Sequence, residues 1–124
     1  MSKLCVVAAG GTGGHLFPAQ ALAEALTARG WRIALATDER GASYASNFPA
    51  ERRIPLSAAT FKSGDPIGMA RAAFHVFSGW NQAKDAFRRT RPDIVVGFGG
   101  YPSLPALMAA LSCKIPTVIH EQNA

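Results

Sequence analysis

The residue types best suited to chemistry fall in three short clusters, each directly after an apolar run rich in Val or Ile. Two clusters are rich in glycine, and one of these ends in a histidine. The third consists of four consecutive polar residues. Polar groups at the ends of buried strands are typical of binding and catalytic sites. The clusters are residues 10–15 (GGTGGH), 97–101 (GFGGY) and 120–123 (HEQN).

The first cluster is suited to holding an anion or a sugar oxygen. Glycines allow positive φ and a close approach to a ligand, and the start of the following helix offers free N–H groups. The dinucleotide fingerprint is excluded, because a G-x-G-x-x-G frame from Gly11 would need glycine where Leu16 stands. The P-loop of nucleotide hydrolases is excluded as well, because its Gly-Lys-Ser/Thr ending is missing. A tight strand-to-helix turn without a ligand is the alternative.

The polar side chains of the clusters each have a structural interpretation beside the functional one. His15 lies where the first loop enters a helix, and an imidazole can accept a proton near neutral pH, so this residue is either a general base or a cap. Tyr101 offers a ring and a hydroxyl to a ligand, or it packs over its own loop. The 120–123 run favours binding, although any one of its members could cap a following helix.

Short apolar runs alternate with longer helical patterns, and this alternation predicts stacked β-α-β units with a parallel sheet. The third strand is bounded by Pro49 and Pro55 and is expected at an edge of the sheet. The first helix is expected to begin near Pro18 and to end before Gly30. The predicted strands are 4–9, 33–37, 53–56, 94–96 and 117–119, and the predicted helices are 18–29, 67–89 and 104–111.

The expected fold class is α/β, a Rossmann-like open parallel sheet with helices on both faces. In the common doubly wound strand order 3-2-1-4-5, the first and fourth strands flank the point where the order reverses, and the fifth lies beside them. The three clusters would then meet in one crevice at the carboxyl ends of the strands.

The composition fits one globular domain over residues 1–124. The chain is 48% hydrophobic and 17% charged, which favours a packed core over a disordered segment. Cys5 and Cys113 belong to no metal-type spacing, so reduced thiols in a cytoplasmic protein are expected. No apolar run approaches the roughly 20 residues that span a bilayer, and the run at 4–9 is too short for the core of a signal peptide.

The net charge of +5 is concentrated in one segment. Between residues 62 and 91, six basic residues stand against the acidic Asp65 and Asp85, so four of the five excess charges lie there. Nucleic acid, an acidic membrane and a phosphorylated substrate are all compatible with this segment, as is a solvated basic face. The basic residues are Lys62, Arg71, Lys84, Arg88, Arg89 and Arg91.

The three clusters, in this order and with Pro18 three residues after His15, resemble the amino-terminal motifs of the MurG-type glycosyltransferases over essentially the whole chain. The resemblance implies the amino-terminal, acceptor-binding half of a two-domain GT-B enzyme of peptidoglycan synthesis. The implied reaction transfers N-acetylglucosamine, with inversion, from UDP-N-acetylglucosamine to the undecaprenyl-pyrophosphate-linked muramoyl-pentapeptide, converting lipid I to lipid II. It further implies a peripheral position on the cytoplasmic face of the bacterial inner membrane, with no nucleic acid partner, no metal and no other cofactor in this domain.

The resemblance also implies a role for each cluster residue. His15 becomes the leading candidate for the base that deprotonates the acceptor hydroxyl, ahead of Glu121. The residues expected to contact the donor are Thr12, Gly13, Gly14 and Asn123. The residues expected to shape the acceptor site are Gly11, His15, Gly99, Gly100, Tyr101, His120 and Glu121.

The given sequence stops after the third motif, whereas these enzymes continue through more of this domain and then a donor-binding carboxy-terminal domain, so a fragment of such an enzyme or one half of a split enzyme is expected. The chain alone is therefore expected to be inactive. One alternative is an acceptor-binding, membrane-recruiting subunit of a split transferase, which would associate with a separate donor-binding chain. The other is a nucleotide-dependent oxidoreductase, in which Asp38 after the second strand would bind a ribose, but the missing fingerprint favours a solvated aspartate.

The long predicted helix 67–89 carries two apolar rows. The row expected to face the core is Met69, Ala73, Val76, Trp80, Ala83 and Phe87. The second row, Ile67, Ala70, Phe74 and Phe77, lies about 100° around the helix, where either another helix covers it or it stays exposed. An exposed row bordered by basic residues would dock the domain on anionic membrane lipids. The expected membrane patch comprises Ile67, Arg71, Phe74, Phe77, Trp80, Arg88 and Arg89.

Overall fold

The computed structural model describes residues 2–10, 13–38, 41, 48–56, 66–100 and 102–120. The strands in these ranges are β1 (Leu4–Ala8), β2 (Arg32–Thr37), β3 (Arg52–Pro55), β4 (Ile94–Gly97) and β5 (Thr117–Ile119). Three helices lie within the described ranges, namely α1 (Gly13–Ala28), α2 (Pro66–Arg89) and α3 (Ser103–Ser112). The sequence-predicted residues that lie outside the described ranges are Gly11, Thr12, Lys62, Tyr101, Glu121 and Asn123.

The five strands form one parallel sheet in the order β3-β2-β1-β4-β5, which confirms the predicted doubly wound arrangement. Val6 of the central strand β1 lies opposite Ala34 of β2 and Val95 of β4. Every residue of β1 is buried. A central parallel strand is covered on both faces, and this explains why its sequence is continuously apolar rather than alternating.

Helices cover both faces of the sheet, as predicted, and the residues of β1 alternate between them. Cys5 and Val7 pack with Leu16 and Ala19 of α1 in the core on one face. The core on the opposite face is formed with α2 and α3, and its β1, α2 and α3 members include Leu4, Val6, Ala8, Ala83, Phe87, Ala106, Ala109 and Ala110. The chain therefore has two cores separated by one sheet.

Helix α1 begins at Gly13, five residues before the predicted start at Pro18. The prediction was wrong because it placed proline at the first helical position, where its missing N–H costs nothing. Pro18 instead lies inside the helix, where it cannot donate to the carbonyl of Gly14 four residues earlier. The loss is limited to this one hydrogen bond near the helix start. Because the helix begins at Gly13, His15 lies within its first turn, where backbone N–H groups have no intrahelical acceptor.

The buried face of α2 differs from the predicted row in its first half. The buried residues are Ala72, Gly79, Ala83 and Phe87, whereas Met69 is 45% exposed and Ala73 is exposed as well. Helix α2 packs against α3 as well as against the sheet, and small residues such as Ala72 and Gly79 allow two helices to approach closely. The second apolar row is exposed, since no described neighbour covers it.

Both cysteines are free, as predicted. Cys5 lies in β1 and is fully buried, and this burial raises the pKa of its thiol to about 11. A thiol with such a pKa stays protonated at neutral pH, so Cys5 is a small core residue rather than a nucleophile.

Two phenylalanines of α2 separate the contributions of its two faces to stability. Phe87 is 1% exposed and Phe74 is 67% exposed. We expect Phe87→Ala to lower the free energy of unfolding by about 3–5 kcal/mol because it leaves a cavity in the core, and Phe74→Ala to change it by at most about 0.5 kcal/mol. Urea titration of both variants, followed by circular dichroism, measures the difference. Equal destabilisation would mean that Phe74 is packed as tightly as Phe87, against the observed exposure of its row.

Candidate functional site

The carboxyl ends of β1, β4 and β5 meet at one edge of the sheet. The strands are parallel neighbours, with Ala8 opposite Gly97 and Gly97 opposite Ile119. Hydrogen bonds continue past the strand ends, because Phe98 N donates to the Ala8 carbonyl and His120 N donates to the Gly97 carbonyl, both at 2.8 Å. The described parts of the three clusters therefore lie side by side where the strand order reverses.

The two glycine loops touch through their backbones. A Cβ atom on Gly10 would lie 2.2 Å from Cδ of Pro102, and one on Gly100 would lie 3.1 Å from the Cα of Gly10. Gly100 also has a φ of +82°, in the left-handed region that side chains rarely adopt. Glycine at these positions lets the loops after β1 and β4 pack as one unit.

A buried serine joins the same two loops. The Ser103 hydroxyl accepts a hydrogen bond from Gly99 N at 3.0 Å, and it lies 2.9 Å from the Ala8 carbonyl and 2.8 Å from the Gly99 carbonyl. Its single hydrogen serves one of these two carbonyls at a time. Sequence reasoning missed Ser103, although a hydroxyl residue at the start of an otherwise apolar helix was a signal for local bonding to backbone.

The imidazole of His15 has a defined orientation. Its Nδ1 lies 3.0 Å from the carbonyl oxygen of Phe98, in the loop after β4. A carbonyl oxygen can only accept, so Nδ1 must carry the hydrogen, and in the neutral ring the lone pair is on Nε2. His15 is half-buried. The ring is therefore held at one nitrogen and can accept a proton at the other.

Gly99 forms the wall against which this ring packs. A Cβ atom on Gly99 would lie 2.9 Å from both Cε1 and Nδ1 of His15. Gly99 has a φ of +97°. The glycine therefore serves two purposes, a left-handed backbone and the space that the imidazole occupies.

His120 reaches the site through an aromatic contact. Its ring centroid lies 5.1 Å from that of Phe98, a separation typical of favourable aromatic pairs. Phe98 is buried in the core on the α1 face, whereas His120 is exposed. Phe98 thus contacts His15 through its carbonyl and His120 through its ring, and it links the first cluster to the third.

The start of α1 is suited to an anion. Gly13, Gly14 and His15 form its first turn, and no acidic residue occupies that turn. Free N–H groups and the positive end of the helix dipole favour phosphate or another anion there. Among the residues that the structure describes, no three His, Cys, Asp or Glu side chains come together as metal ligands would.

The structure thus brings together five of the sequence-predicted site residues, namely Gly13, Gly14, His15, Gly99 and Gly100, with His120 beside them through Phe98. Asp38, the candidate ribose ligand of the oxidoreductase alternative, accepts a hydrogen bond from Gly41 N at 2.7 Å. Its carboxylate is therefore engaged by the chain's own backbone just after β2.

The parallel five-stranded sheet with its helices matches the amino-terminal domains of GT-B glycosyltransferases. The chain superposes on the crystal structure of MurG from Acinetobacter baumannii with a TM-score of 0.81 and 30% identity, over 98% of this chain and 36% of that one. It also superposes on the calicheamicin glycosyltransferase CalG4 with a TM-score of 0.68 over 98% of this chain and 33% of that one, and at 21% identity this likeness shows the fold alone.

The glycosyltransferase family 28 N-terminal domain matches residues 5–124, so the chain belongs to this family. Over all of its 124 residues it is 70% identical to the UDP-N-acetylglucosamine–N-acetylmuramyl-(pentapeptide) pyrophosphoryl-undecaprenol N-acetylglucosamine transferase of Caulobacter vibrioides, of which it covers 34%. It is 53% identical over 119 residues, or 96% of this chain, to the protein of the same name from Mesorhizobium japonicum, of which it covers 32%. The chain spans about one third of these relatives, and the resemblance seen in its motifs is confirmed.

Two glycines with positive φ provide a matched test of how His15 is held. Gly99→Ala would force Cβ into the imidazole, whereas a Cβ on Gly30, which has a φ of +88°, would meet nothing within 4 Å. We expect both substitutions to cost about 1–3 kcal/mol of stability through backbone strain. Only Gly99→Ala should displace the His15 ring.

Long-range ¹H–¹⁵N spectra of the full-length protein should show neutral His15 with its hydrogen on Nδ1 in the wild type and in Gly30→Ala. Gly99→Ala should show a changed tautomer signal. Identical His15 signals in all three proteins would contradict the observed packing.

Proposed function

We propose that this chain is the acceptor-binding domain of an inverting glycosyltransferase that transfers N-acetylglucosamine from UDP-N-acetylglucosamine to undecaprenyl-pyrophosphate-linked muramoyl-pentapeptide. The observation that carries the proposal is the His15 imidazole, which is held at Nδ1 by the Phe98 carbonyl 3.0 Å away and has its lone pair on Nε2 at the shared edge of the sheet. The relatives from Caulobacter and Mesorhizobium, which match nearly the whole chain, carry this transferase activity in their names.

In the proposed reaction His15 acts as general base. Nε2 takes the proton from the acceptor hydroxyl while the hydroxyl oxygen attacks the anomeric carbon of the donor sugar. The bond between that carbon and the UDP oxygen breaks, and its electron pair leaves with UDP. One displacement inverts the anomeric configuration, and the proton ends on the imidazole. The hydrogen bond to Phe98 keeps the ring oriented in both protonation states, because Nδ1 carries a hydrogen in each.

The remaining cluster residues divide between the two substrates in this proposal. The start of α1 offers backbone N–H groups to a pyrophosphate, and the loop that contains Gly99 and Gly100 packs beside it, against His15 and Gly10. The donor contacts are assigned to Thr12, Gly13, Gly14 and Asn123. Those to the acceptor are assigned to Gly11, His15, Gly99, Gly100, Tyr101, His120 and Glu121, with Glu121 as the second candidate base.

A donor-binding carboxy-terminal domain completes the proposed enzyme. The chain covers 34% of its Caulobacter relative, which leaves about two thirds of such a protein for that domain and its connections. The split-subunit alternative places this domain on a separate polypeptide. Transfer assays on the complete gene product, with and without candidate partner chains, separate the two arrangements.

Removing the base tests the mechanism. We expect His15→Ala in the full-length enzyme to lower kcat by about a hundred to ten thousand fold, the usual contribution of a positioned base. Donor affinity should change far less, because the imidazole acts on the acceptor hydroxyl. Turnover is measured with a water-soluble acceptor analogue at saturating concentrations.

His75→Ala serves as the control, because His75 lies on α2, on the opposite face of the sheet from α1. It should retain full turnover with the soluble acceptor. A loss of less than threefold in His15→Ala would exclude His15 as the essential base and leave Glu121 as the candidate.

We also propose that the domain docks on anionic lipids at the cytoplasmic face of the inner membrane through the first half of α2. Ile67, Phe74 and Phe77 are 73%, 67% and 56% exposed, respectively, and neighbouring exposed apolar side chains often mark a binding surface. Arg71 and Arg88 are exposed on the same helix, and each could add about 1 kcal/mol of attraction to an acidic leaflet. Among the described helices none is long and apolar enough to span a bilayer.

The position of α2 connects this surface to the site. The helix follows β3 and leads into the parallel strand β4, so it begins at the end of the sheet where His15 lies. It has 24 residues, or about 36 Å at 1.5 Å per residue, and its second half is fixed by the buried Ala83 and Phe87. Its first half therefore lies toward the same end of the sheet as the site, on the opposite face, and in this proposal an acceptor with its tail in the bilayer enters at that end.

Trp80 lies between the exposed apolar row of α2 and the core. It packs partly buried against the core, its indole donates to the Ser112 hydroxyl at 3.3 Å, and Nζ of Lys84 lies 4.3 Å from its ring. Phe77 contacts the Trp80 ring edge-on at 5.9 Å. Arg89 pairs with Asp85 at 2.8 Å, so Arg71 and Arg88 are the stronger candidates for lipid headgroups.

Vesicle sedimentation of the full-length protein tests this surface. We expect the double variant Phe74→Ser, Phe77→Ser to bind vesicles containing anionic lipid at least about tenfold more weakly, because two partly inserted rings lose a few kcal/mol of apolar burial. Leu111→Ser is the matched control, since Leu111 is 67% exposed but lies at the far end of α3. Equal binding by all three proteins, or binding that ignores lipid charge, would rule the surface out.

A further inference from the structure

We propose that Ser103 is a positioning residue for His15, and that it acts through the single peptide group between Phe98 and Gly99. The inference rests on the proposed role of His15 as base. Ser103 lies outside the three sequence clusters, and its buried hydroxyl faces the backbone rather than the open edge of the sheet.

One rigid group joins the two side chains. The Phe98 carbonyl and the Gly99 N–H belong to the same planar peptide unit. On one side its carbonyl accepts the hydrogen of His15 Nδ1 at 3.0 Å. On the other side its N–H donates to Ser103 Oγ at 3.0 Å. Because the peptide is planar and trans, fixing its N–H also fixes the direction of its carbonyl.

The peptide between Phe98 and Gly99 needs this hydrogen bond to keep its orientation. Gly99 has no Cβ and a φ of +97°, and glycine accepts alternative backbone conformations more readily than other residues. Rotation of the peptide plane would turn the Phe98 carbonyl away from His15. The hydroxyl of Ser103 opposes that rotation, because it accepts from Gly99 N and also lies 2.8 Å from the Gly99 carbonyl.

Ser103 also ties this peptide to the central strand. Its hydroxyl lies 2.9 Å from the Ala8 carbonyl, which accepts from Phe98 N at 2.8 Å as well. Hydrogen bonds in such a chain polarise one another. The acceptor strength of the Phe98 carbonyl, and with it the preference of His15 for the Nδ1–H tautomer, therefore depends on the hydrogen bond that Ser103 accepts.

The test uses five full-length proteins: wild type, Ser103→Ala, His15→Ala, the double variant and a serine control. We expect Ser103→Ala to lower kcat by about ten to a hundred fold, as misplacement of a catalytic group does, with the KM for UDP-N-acetylglucosamine within about threefold of wild type. In the His15→Ala background, the same substitution should change kcat by less than about twofold, since no base remains to be positioned. Ser2→Ala, a substitution of an exposed serine ahead of β1, should leave kcat unchanged.

Two outcomes overturn the inference while leaving the base role of His15 intact. Ser103→Ala could retain wild-type kcat, or it could lower kcat by the same factor with and without His15, which would mean a general structural role. A His15→Ala enzyme with near-normal kcat would instead refute the proposed base and this inference together.

A measurement independent of turnover keeps the inference testable if Ser103→Ala folds poorly. Ser103→Cys keeps the side-chain shape and replaces the hydroxyl with a weak acceptor. Long-range ¹H–¹⁵N spectra of Ser103→Cys should show neutral His15 shifted away from the pure Nδ1–H form, at an unchanged melting temperature. An unaltered His15 tautomer in that folded variant would refute the link through the peptide.

Discussion

Backbone contact between the loops that follow β1 and β4 is the constraint on which the site depends. A Cβ atom on Gly100 would meet the backbone of Gly10, and one on Gly10 would meet the ring of Pro102. His15 lies in the first turn of α1, and its ring packs against Gly99 at the end of the adjacent strand β4. With that strand end pressed against the first loop, the Phe98 carbonyl lies within hydrogen-bond distance of the imidazole. A larger gap would leave His15 without a fixed orientation.

Most of the fold could be predicted because its signals are local. Apart from β3, which contains Arg52, Arg53 and Pro55, each strand is a short, largely apolar run followed by glycine or polar residues, and all five strand ends fall within one residue of the sequence prediction. The strand order followed from the β-α-β pattern, which permits few arrangements. The predicted start of α1 was wrong because proline is common at the first helical position. A single tolerated proline in the second turn has no local signature that distinguishes it from that case.

The site could be predicted only as far as the location of its strand ends. Sequence placed His15, Gly99, Gly100 and His120 at neighbouring exits, and the structure agrees for these described residues. The partners of His15 could not be predicted, because one is a backbone carbonyl that every residue possesses and the other is a glycine that acts by leaving space. The buried face of α2 was missed in its first half for a similar reason, since the contact with α3 depends on small residues that carry no strong hydrophobic signal.

The choice of a carbonyl to orient His15 suits an anionic substrate. A carboxylate in that place would also fix the ring, but its negative charge would lie beside the start of α1, where a pyrophosphate is proposed to bind. A carboxylate and a pyrophosphate held next to each other and partly shielded from water would repel strongly. The Phe98 carbonyl supplies the same directional acceptor without a net charge. The ring can therefore be held in one tautomer while the first turn of α1, which contains no acidic residue, keeps its full attraction for phosphate oxygens.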